Sequence, residues 1–263
     1  MGSLRIYPSF FASILILILI CFHSSSCEDS GHEDFDYSEG PKGPHNWGDL
    51  KQAWRLCKTG TNQSPINISP HKVRKDDSLE RLRTGYSPIH DPVLLSIDHD
   101  VALEFGADAG GITLNGTHYK LKEYHTHMPS EHVVNRRRFP LEIHLVHKTP
   151  DKNRIAVISV LYKHGRRDNI LEQVLKMISS ANKKGGSLDS SLNMTKMKIS
   201  GKAYYRYSGS LTTPPCSEGV LWTVLREAHT LSQEQFRKFQ TILTKNNSRF
   251  TQKINGREVL YRR

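Results

Sequence analysis

Short apolar segments separated by turn residues dominate the chain from Val93 onward. Val, Ile, Leu and Tyr concentrate in these segments, and Gly, Asn or Pro lies between one segment and the next. Such a pattern is typical of β-strands joined by turns. It predicts strands at residues 93–98, 101–105, 119–127, 141–147, 155–162, 204–207 and 220–225.

Two stretches have helical spacing instead. Apolar side chains recur every three or four residues between Ile170 and Ile178, which places them on one face of a helix. Ser232 and Gln235 form the pattern of a capping box in front of a second such stretch. Because no internal repeat or linker interrupts the sequence, we predict a single, mostly β domain with a few peripheral helices.

The first part of the chain follows a different pattern. Residues 10–22 are almost wholly apolar, Arg5 precedes them, and serines follow at 24–26. A run this short with these flanks is typical of a signal peptide, and an uncleaved membrane anchor fits it less well. We expect residues 1–27 to be a signal peptide, 28–36 a flexible acidic segment and 37–263 the folded domain, with no membrane span after signal cleavage.

Charge narrows the function only slightly. The chain has 37 Lys and Arg against 26 Asp and Glu, a net charge of +11, with basic runs at 136–138, 183–184 and 262–263. A solvated basic face is the usual meaning of such runs, and contact with a polyanion is a second interpretation. No nucleic-acid-binding motif accompanies them, so nucleic acid is not an expected partner.

Cysteines and glycosylation sequons agree with an oxidising compartment. Cys57 and Cys216 are the only cysteines beyond residue 27, so we expect them to form a disulfide that stabilises the fold by about 2–5 kcal/mol. Sequons at 62 and 67 are followed by proline and are poor acceptors. The expected glycosylation sites are Asn115, Asn193 and Asn246, and Asn115 has the sequence of a hairpin tip.

Histidines at alternate positions give the first chemical signal. Alternate residues of a strand share one face, so His125 and His127 point the same way, with Glu123 and Leu121 behind them. Two imidazoles on one face can reach one metal ion. By itself the signal is weak, because the chain contains 14 histidines.

The predicted strand 141–147 supplies a third imidazole, since it puts Glu142, His144 and Val146 on one face. If the two strands are neighbours, three neutral nitrogen ligands leave a tetrahedral zinc ion one open position, as in catalytic rather than structural sites. Glu142 precedes His144 by two positions, as Glu123 precedes His125. Each carboxylate can therefore accept the N–H of its histidine and fix the ring's orientation.

Three motifs carry a family resemblance. The stretches Glu123-Tyr-His-Thr-His-Met-Pro-Ser-Glu-His132, Leu141-Glu-Ile-His-Leu-Val-His147 and Ser210-Leu-Thr-Thr-Pro-Pro-Cys216 are similar to the zinc and substrate motifs of the α-carbonic anhydrases. Further matches extend the likeness from about Tyr37 nearly to the C-terminus, and the cysteine placement looks most like the plant branch. The resemblance implies a twisted, predominantly antiparallel β-sheet and the zinc-dependent, reversible hydration of carbon dioxide by attack of zinc-bound hydroxide.

The resemblance also implies roles for individual residues. His125, His127 and His144 bind zinc, and Thr212 donates its hydroxyl proton to Glu131, so that the remaining lone pair of Thr212 aims the nucleophile. His99 stands at the family's proton-shuttle position, where a histidine titrates near neutral pH; an exposed loop histidine is the alternative. The residues that place the substrate are Thr212 and Thr213, with an apolar wall of Val146, Val157, Leu211 and Trp222.

Departures from the family keep a second function open. Glu123 replaces a usual glutamine, Met128 replaces a usual tryptophan, and Ile97, Asp98 and Ala102 stand near the shuttle where the family often has polar residues or glycine. We hypothesise that an ionised Glu123 tightens zinc and shifts the activity profile to higher pH, so that Glu123→Gln lowers the pH midpoint. The alternative function is a secreted storage or binding protein with weak or lost activity.

Localisation has two interpretations as well. A signal peptide directs the chain into the secretory pathway and to the cell exterior. Plant members of the family are also assigned to the chloroplast, so the stroma is the alternative compartment.

A zinc peptidase would need a His-Glu-x-x-His helix, and the sequence has none.

Overall fold

The fold is described from a computed structural model, which describes residues 34–96, 101–106, 109–181, 186–243 and 245–263. The strands are β1 (Asn67–Ile68), β2 (Arg74–Lys75), β3 (Thr84–Tyr86), β4 (Pro88–His90), β5 (Val93–Ser96), β6 (Ala102–Glu104), β7 (Gly110–Leu114), β8 (Thr117–His127), β9 (Val133–Val134), β10 (Arg137–Arg138), β11 (Leu141–Lys148), β12 (Ile155–His164), β13 (Gly186–Ser187), β14 (Ser191–Asn193), β15 (Tyr204–Ser210), β16 (Glu218–Leu225), β17 (His229–Leu231) and β18 (Leu260–Arg262). The helices are α1 (Trp47–Leu50), α2 (Leu56–Thr59), α3 (Asn169–Ser180) and α4 (Gln233–Ile242), with 3-10 turns at Gln52–Trp54 and Met194–Lys196.

One large sheet organises the described residues. Its main path runs β13-β5-β6-β8-β11-β12-β16-β15-β18-β2, and β7, β3 and β17 branch from it. Most neighbours are antiparallel; β12 runs parallel to β16 and β17, and β18 runs parallel to β2. The prediction of a mostly β domain around a predominantly antiparallel sheet is confirmed.

The two faces of the central strands differ in character. On β11, Ile143 and Leu145 point into the larger apolar core, which α3 and α4 also cover. Val146 points to the opposite face, into a smaller apolar cluster beside the histidines. This alternation is what the sequence pattern predicts for a strand buried on both sides.

A bulge in β8 corrects one detail of that pattern. Val146 pairs with Glu123 but His147 pairs with Leu121, so Lys122 is an extra residue in β8. An extra residue reverses the side to which the following side chains point. Leu121 therefore packs in the larger core, on the face opposite His125, and the expectation that it lies behind the histidines is wrong.

Side-chain caps mark the beginnings of α3 and α4. Asp168 caps α3 by accepting hydrogen bonds from the backbone N–H groups of Ile170 and Leu171. Ser232 and Gln235 form the predicted capping box of α4. No helix among the described residues has both the length and the apolar composition that crossing a bilayer requires.

The predicted disulfide between Cys57 and Cys216 is confirmed. It lies beside Trp47 in a small aromatic cluster near the beginning of the described chain. Phe35, from the segment expected to be flexible, packs edge-on against Trp47 and Trp54. Asn115 occupies the tip of the hairpin between β7 and β8 with a positive φ of 49°, is exposed, and is followed by Gly116 at 73°, as expected for a two-residue turn.

Candidate metal centre

The histidines of β8 and β11 converge because of strand register. His144 lies directly opposite His125, and Glu142 lies opposite His127. His144 Nδ1 lies 3.1 Å from His125 Nε2 and 3.1 Å from His127 Nε2. The side chains of His127 and His144 are 1% exposed, whereas that of His125 is 15% exposed, so the cluster opens toward solvent on the His125 side.

The other nitrogen of each ring faces a hydrogen-bond acceptor. His125 Nδ1 donates to Glu123 Oε1 at 2.6 Å, and His144 Nε2 donates to Glu142 Oε1 at 2.6 Å. His127 Nδ1 donates to the backbone carbonyl of Asn247 at 2.9 Å. A neutral imidazole carries one N–H, so the three nitrogens that face one another carry lone pairs.

This donor set fits a zinc ion. Three lone pairs at 3.1 Å repel each other unless a cation lies between them. Burial lowers the pKa of His144 well below its usual value, and this effect outweighs the opposing influence of Glu142, so the ring is neutral as a metal ligand must be. Three imidazole nitrogens with oriented rings are a typical catalytic zinc site.

Glu142 holds the buried end of the centre. Burial raises its pKa, but the adjacent His132 and His144 lower it further, and the net pKa is well below its usual range. Its Oε1 accepts from His132 Nδ1 at 2.7 Å and Ser159 Oγ at 2.6 Å as well as from His144. His132, Glu142 and His144 form a second group of possible metal ligands. Hydrogen bonds to Glu142 already connect the candidate ligand atoms of this group.

Glu123 backs the exposed end. Its side chain is 31% exposed. Burial raises its pKa, but the hydrogen bond from His125 and the charge of Lys148 help to lower it, with a net lowering. The carboxylate is ionised at neutral pH. Glu104 lies directly opposite Glu123 on β6 and is exposed.

Glu131 lies beneath the histidines and is completely buried. Its Oε1 accepts the backbone N–H of Arg249 at 2.9 Å, and its Oε2 lies 3.4 Å from His127 Nε2. Burial and the charge of Glu142 raise its pKa to about 7, although the Thr212 hydroxyl lowers it. Oε2 has no hydrogen bond of normal geometry within the described residues, so a polar acceptor points at the centre.

An apolar surface adjoins the centre. Val146, Val157 and Trp222 are successive cross-strand neighbours on β11, β12 and β16, and Leu211 packs against the same cluster. The Trp222 ring lies 4.8 Å from that of His144. Trp222 Nε1 donates to the carbonyl of Ser210 at 3.0 Å, which fixes the indole.

Sequence reasoning missed Asn247, which shapes the centre. Asn247 supplies the carbonyl for His127, its Oδ1 accepts the N–H of Met128, and its Nδ2 donates to Thr126 O. It lies 120 positions from His127 in an irregular segment, where no periodicity marks a contact. His99, Ile97 and Asp98 lie outside the described residues. Thr213 is half-buried, and its carbonyl accepts the N–H of Cys216.

Known proteins resemble this chain over most of its length. The eukaryotic-type carbonic anhydrase family model matches residues 42–263. Alpha carbonic anhydrase 7 of Arabidopsis thaliana is 38% identical over 96% of this chain and 95% of its own. A crystal structure of dioscorin complexed with ascorbate is 38% identical, with a TM-score of 0.80 over 86% of this chain and 97% of that chain. The α-carbonic anhydrase of Thermovibrio ammonificans, solved with the inhibitor sulfanilamide, is 36% identical, with a TM-score of 0.79 over 86% and 98%.

Proposed function

Because the chain belongs to the eukaryotic-type carbonic anhydrase family, we propose that it hydrates carbon dioxide reversibly to bicarbonate and a proton at a zinc ion held by His125, His127 and His144. The observation that carries the proposal is the convergence of three imidazole lone pairs on one point, each ring oriented by an acceptor behind it. When bound, zinc supplies a Lewis acid that makes water nucleophilic near neutral pH.

Polar residues of the chain orient the attack. Thr212 is buried beside Glu131 and influences its pKa. If the Thr212 hydroxyl donates its proton to Glu131, its lone pair accepts a hydrogen bond from the attacking water and aims that oxygen. The backbone N–H of Thr212 and the side chain of Thr213 help to place the substrate.

Apolar residues select the substrate. Val146, Val157 and Trp222 form a continuous surface beside His144, and Leu211 extends it. Carbon dioxide is small and nonpolar, so it displaces weakly held water from such a surface at little cost. Each turnover also releases a proton, and we propose His99 as the group that carries it to buffer.

One experiment tests the proposal. Zinc content and carbon dioxide hydration are measured, with and without a sulfonamide, for the natural protein, His144→Ala and His118→Ala. His118 is an exposed histidine on the same strand as His125, so its variant keeps zinc and activity. We expect stoichiometric zinc and sulfonamide-sensitive hydration in the natural protein and the loss of both in His144→Ala. Absence of zinc from the natural protein would reject the site and the mechanism.

The likeness to dioscorin favours a second candidate, a binding or storage protein with weak or lost activity, because the dioscorin structure contains ascorbate. Stoichiometric zinc without hydration, together with binding of ascorbate, would support it. The intact cluster of ligands and the buried Glu131 favour the enzyme.

We also propose that the protein enters the secretory pathway. The disulfide between Cys57 and Cys216 supports this compartment, since disulfides persist in oxidising environments. Asn115, Asn193 and Asn246 are the proposed glycan acceptors. The chloroplast remains the alternative destination, and mass spectrometry of the mature chain from its native tissue separates the two by its N-terminus and glycans.

A further inference from the structure

The three histidines of the centre are backed unequally. His127 donates to a neutral backbone carbonyl, whereas His125 and His144 each donate to a carboxylate at 2.6 Å. The two carboxylates differ in their surroundings. Glu142 is buried and accepts four hydrogen bonds, from two histidine side chains, one serine and a backbone N–H, which spread its charge. Glu123 is the less constrained of the two.

Glu123 also occupies the exposed side of the cluster. Its side chain is 31% exposed and that of His125 is 15% exposed, against 1% for His127 and His144. A ligand that reaches the centre from solvent on this side therefore passes through the field of the Glu123 carboxylate. Lys148 does not form an ion pair with Glu123 in the described part of the chain, where the one ionic partner of Glu123 is His125.

We propose that the negative charge of Glu123 makes this centre retain its metal ion tightly and disfavours anions at the open position, so that neutral ligands are selected over anionic ones. The proposal rests on the proposed function, because it takes the three histidines as zinc ligands. A carboxylate that accepts the N–H of His125 increases the electron density on Nε2 and so strengthens the bond to a cation. The same charge repels an incoming anion.

Three variants separate the charge from the hydrogen bond. Glu123→Gln keeps an oxygen acceptor for His125 Nδ1 and removes the charge. Glu123→Ala removes both. Glu104→Gln is the matched control, because Glu104 lies directly opposite Glu123 on the next strand and its carboxylate has no hydrogen bond to a histidine among the described residues.

Metal retention is measured by competition between the purified protein and a chelator for zinc, without any assay of hydration. We expect Glu123→Gln to bind zinc about 10–100-fold more weakly than the natural protein. Glu123→Ala weakens zinc at least as much, and Glu104→Gln stays within about twofold. If Glu123→Gln binds zinc as tightly as Glu104→Gln, the proposal is overturned. The charge of Glu123 would then have no effect on zinc affinity, and the hydrogen bond to His125 alone would account for it.

Discrimination against anions is measured with thiocyanate as the probe, by titrating the visible spectrum of the cobalt(II)-substituted protein. We expect thiocyanate to bind Glu123→Gln about 3–10-fold more tightly than the natural protein, with no such gain in Glu104→Gln. An unchanged thiocyanate affinity in Glu123→Gln contradicts the selectivity. If the natural protein binds zinc and the variants match it, this proposal alone fails; if the natural protein binds no zinc, the proposed function fails with it.

Discussion

Two histidines three positions apart on β11, His144 and His147, show what distinguishes a proposed metal ligand from a structural residue. His144 and His147 are both buried, and burial lowers the pKa of each ring. They point to opposite faces of the sheet. His147 Nδ1 donates to the carbonyl of Ala156, and its Nε2 accepts from the hydroxyl of Tyr86 at 2.9 Å, so both of its nitrogens are occupied within the core.

His144 differs from His147 in the partner of one ring nitrogen. Its Nε2 donates to Glu142, but its Nδ1 faces two other imidazole lone pairs rather than a hydroxyl proton. Burial and neutrality are therefore common to the two residues and do not identify a ligand. The convergence of lone pairs does, because only a cation resolves their repulsion.

The largest expected effect comes from replacing each histidine by glutamine. His144→Gln should weaken zinc by about 1,000-fold or more, since one of three ligands is lost. His147→Gln should leave zinc affinity within about threefold and lower the free energy of unfolding by about 1–3 kcal/mol, because a buried hydrogen bond is broken. Chelator competition and urea unfolding of the metal-free proteins measure the two effects. Comparable loss of zinc in both variants would contradict the distinction.

The sequence predicted this difference only in part. Alternation along 141–147 places His144 and His147 on opposite faces, and the motif of the family predicts His144 as the zinc ligand. The partners of His147 are Ala156, on the adjacent strand, and Tyr86, 61 positions away. The contact with Tyr86 depends on how β3 is placed through β7, which no local pattern specifies.

The rest of the fold likewise contains features that a local sequence pattern predicts and features that depend on tertiary contacts. Long alternating strands and the capping box of Ser232 follow from local periodicity, so their prediction succeeds. Strands of two or three residues, such as β1 and β9, contain too few positions to show a period. The bulge at Lys122 and the carbonyl of Asn247 depend on tertiary contacts, so the sequence pattern missed both.

The free energy of unfolding below pH 6.5 gives a further test of the role of His147. Burial lowers the pKa of His147 from 6.5 to about 3, and His118 contributes in the same direction while hydrogen bonds to backbone carbonyls oppose it. Between these pH values the unfolded chain binds a proton that the folded chain does not. The contribution of His147 to the free energy of unfolding is therefore complete above pH 6.5 and is lost as the pH falls to about 3. At about 1.4 kcal/mol for each pH unit, the loss is about 4–5 kcal/mol.

Carboxylates titrate over the same range, so the natural protein is compared with His147→Gln. We expect the free energy of unfolding of His147→Gln to fall less steeply from pH 6.5 to 4 than that of the natural protein. His71→Gln, at an exposed position and not among the groups that influence His147, should retain the natural slope. Parallel curves for the natural protein and His147→Gln would show that His147 takes up its proton without unfolding.

Tyr86→Phe should destabilise the core side of β11 and leave the metal centre unchanged. It removes the hydroxyl that donates to His147 Nε2 and leaves a buried acceptor unsatisfied, at a cost of about 1–3 kcal/mol. Thermal unfolding measures the loss, and zinc content is expected to stay stoichiometric. A variant that loses zinc as well would indicate that the two faces of β11 are coupled.

Ser159→Ala is the matching change on the site side, and its effect on the metal should be the smallest. Ser159 lies opposite His144 on β12 and donates to Glu142 Oε1 at 2.6 Å. It touches the carboxylate and not the ring, so we expect zinc affinity to fall by less than about 10-fold, below the range for groups that contact a ligand directly. Ser208→Ala, which removes an exposed hydroxyl on β15, is the control and should bind zinc as the natural protein does. A loss of zinc affinity as large as that of His144→Gln would contradict this ranking. It would mean that the Ser159 hydroxyl controls the orientation of the His144 ring, because Glu142 could no longer hold His144 Nε2 in place and His144 Nδ1 would turn away from the other two nitrogens.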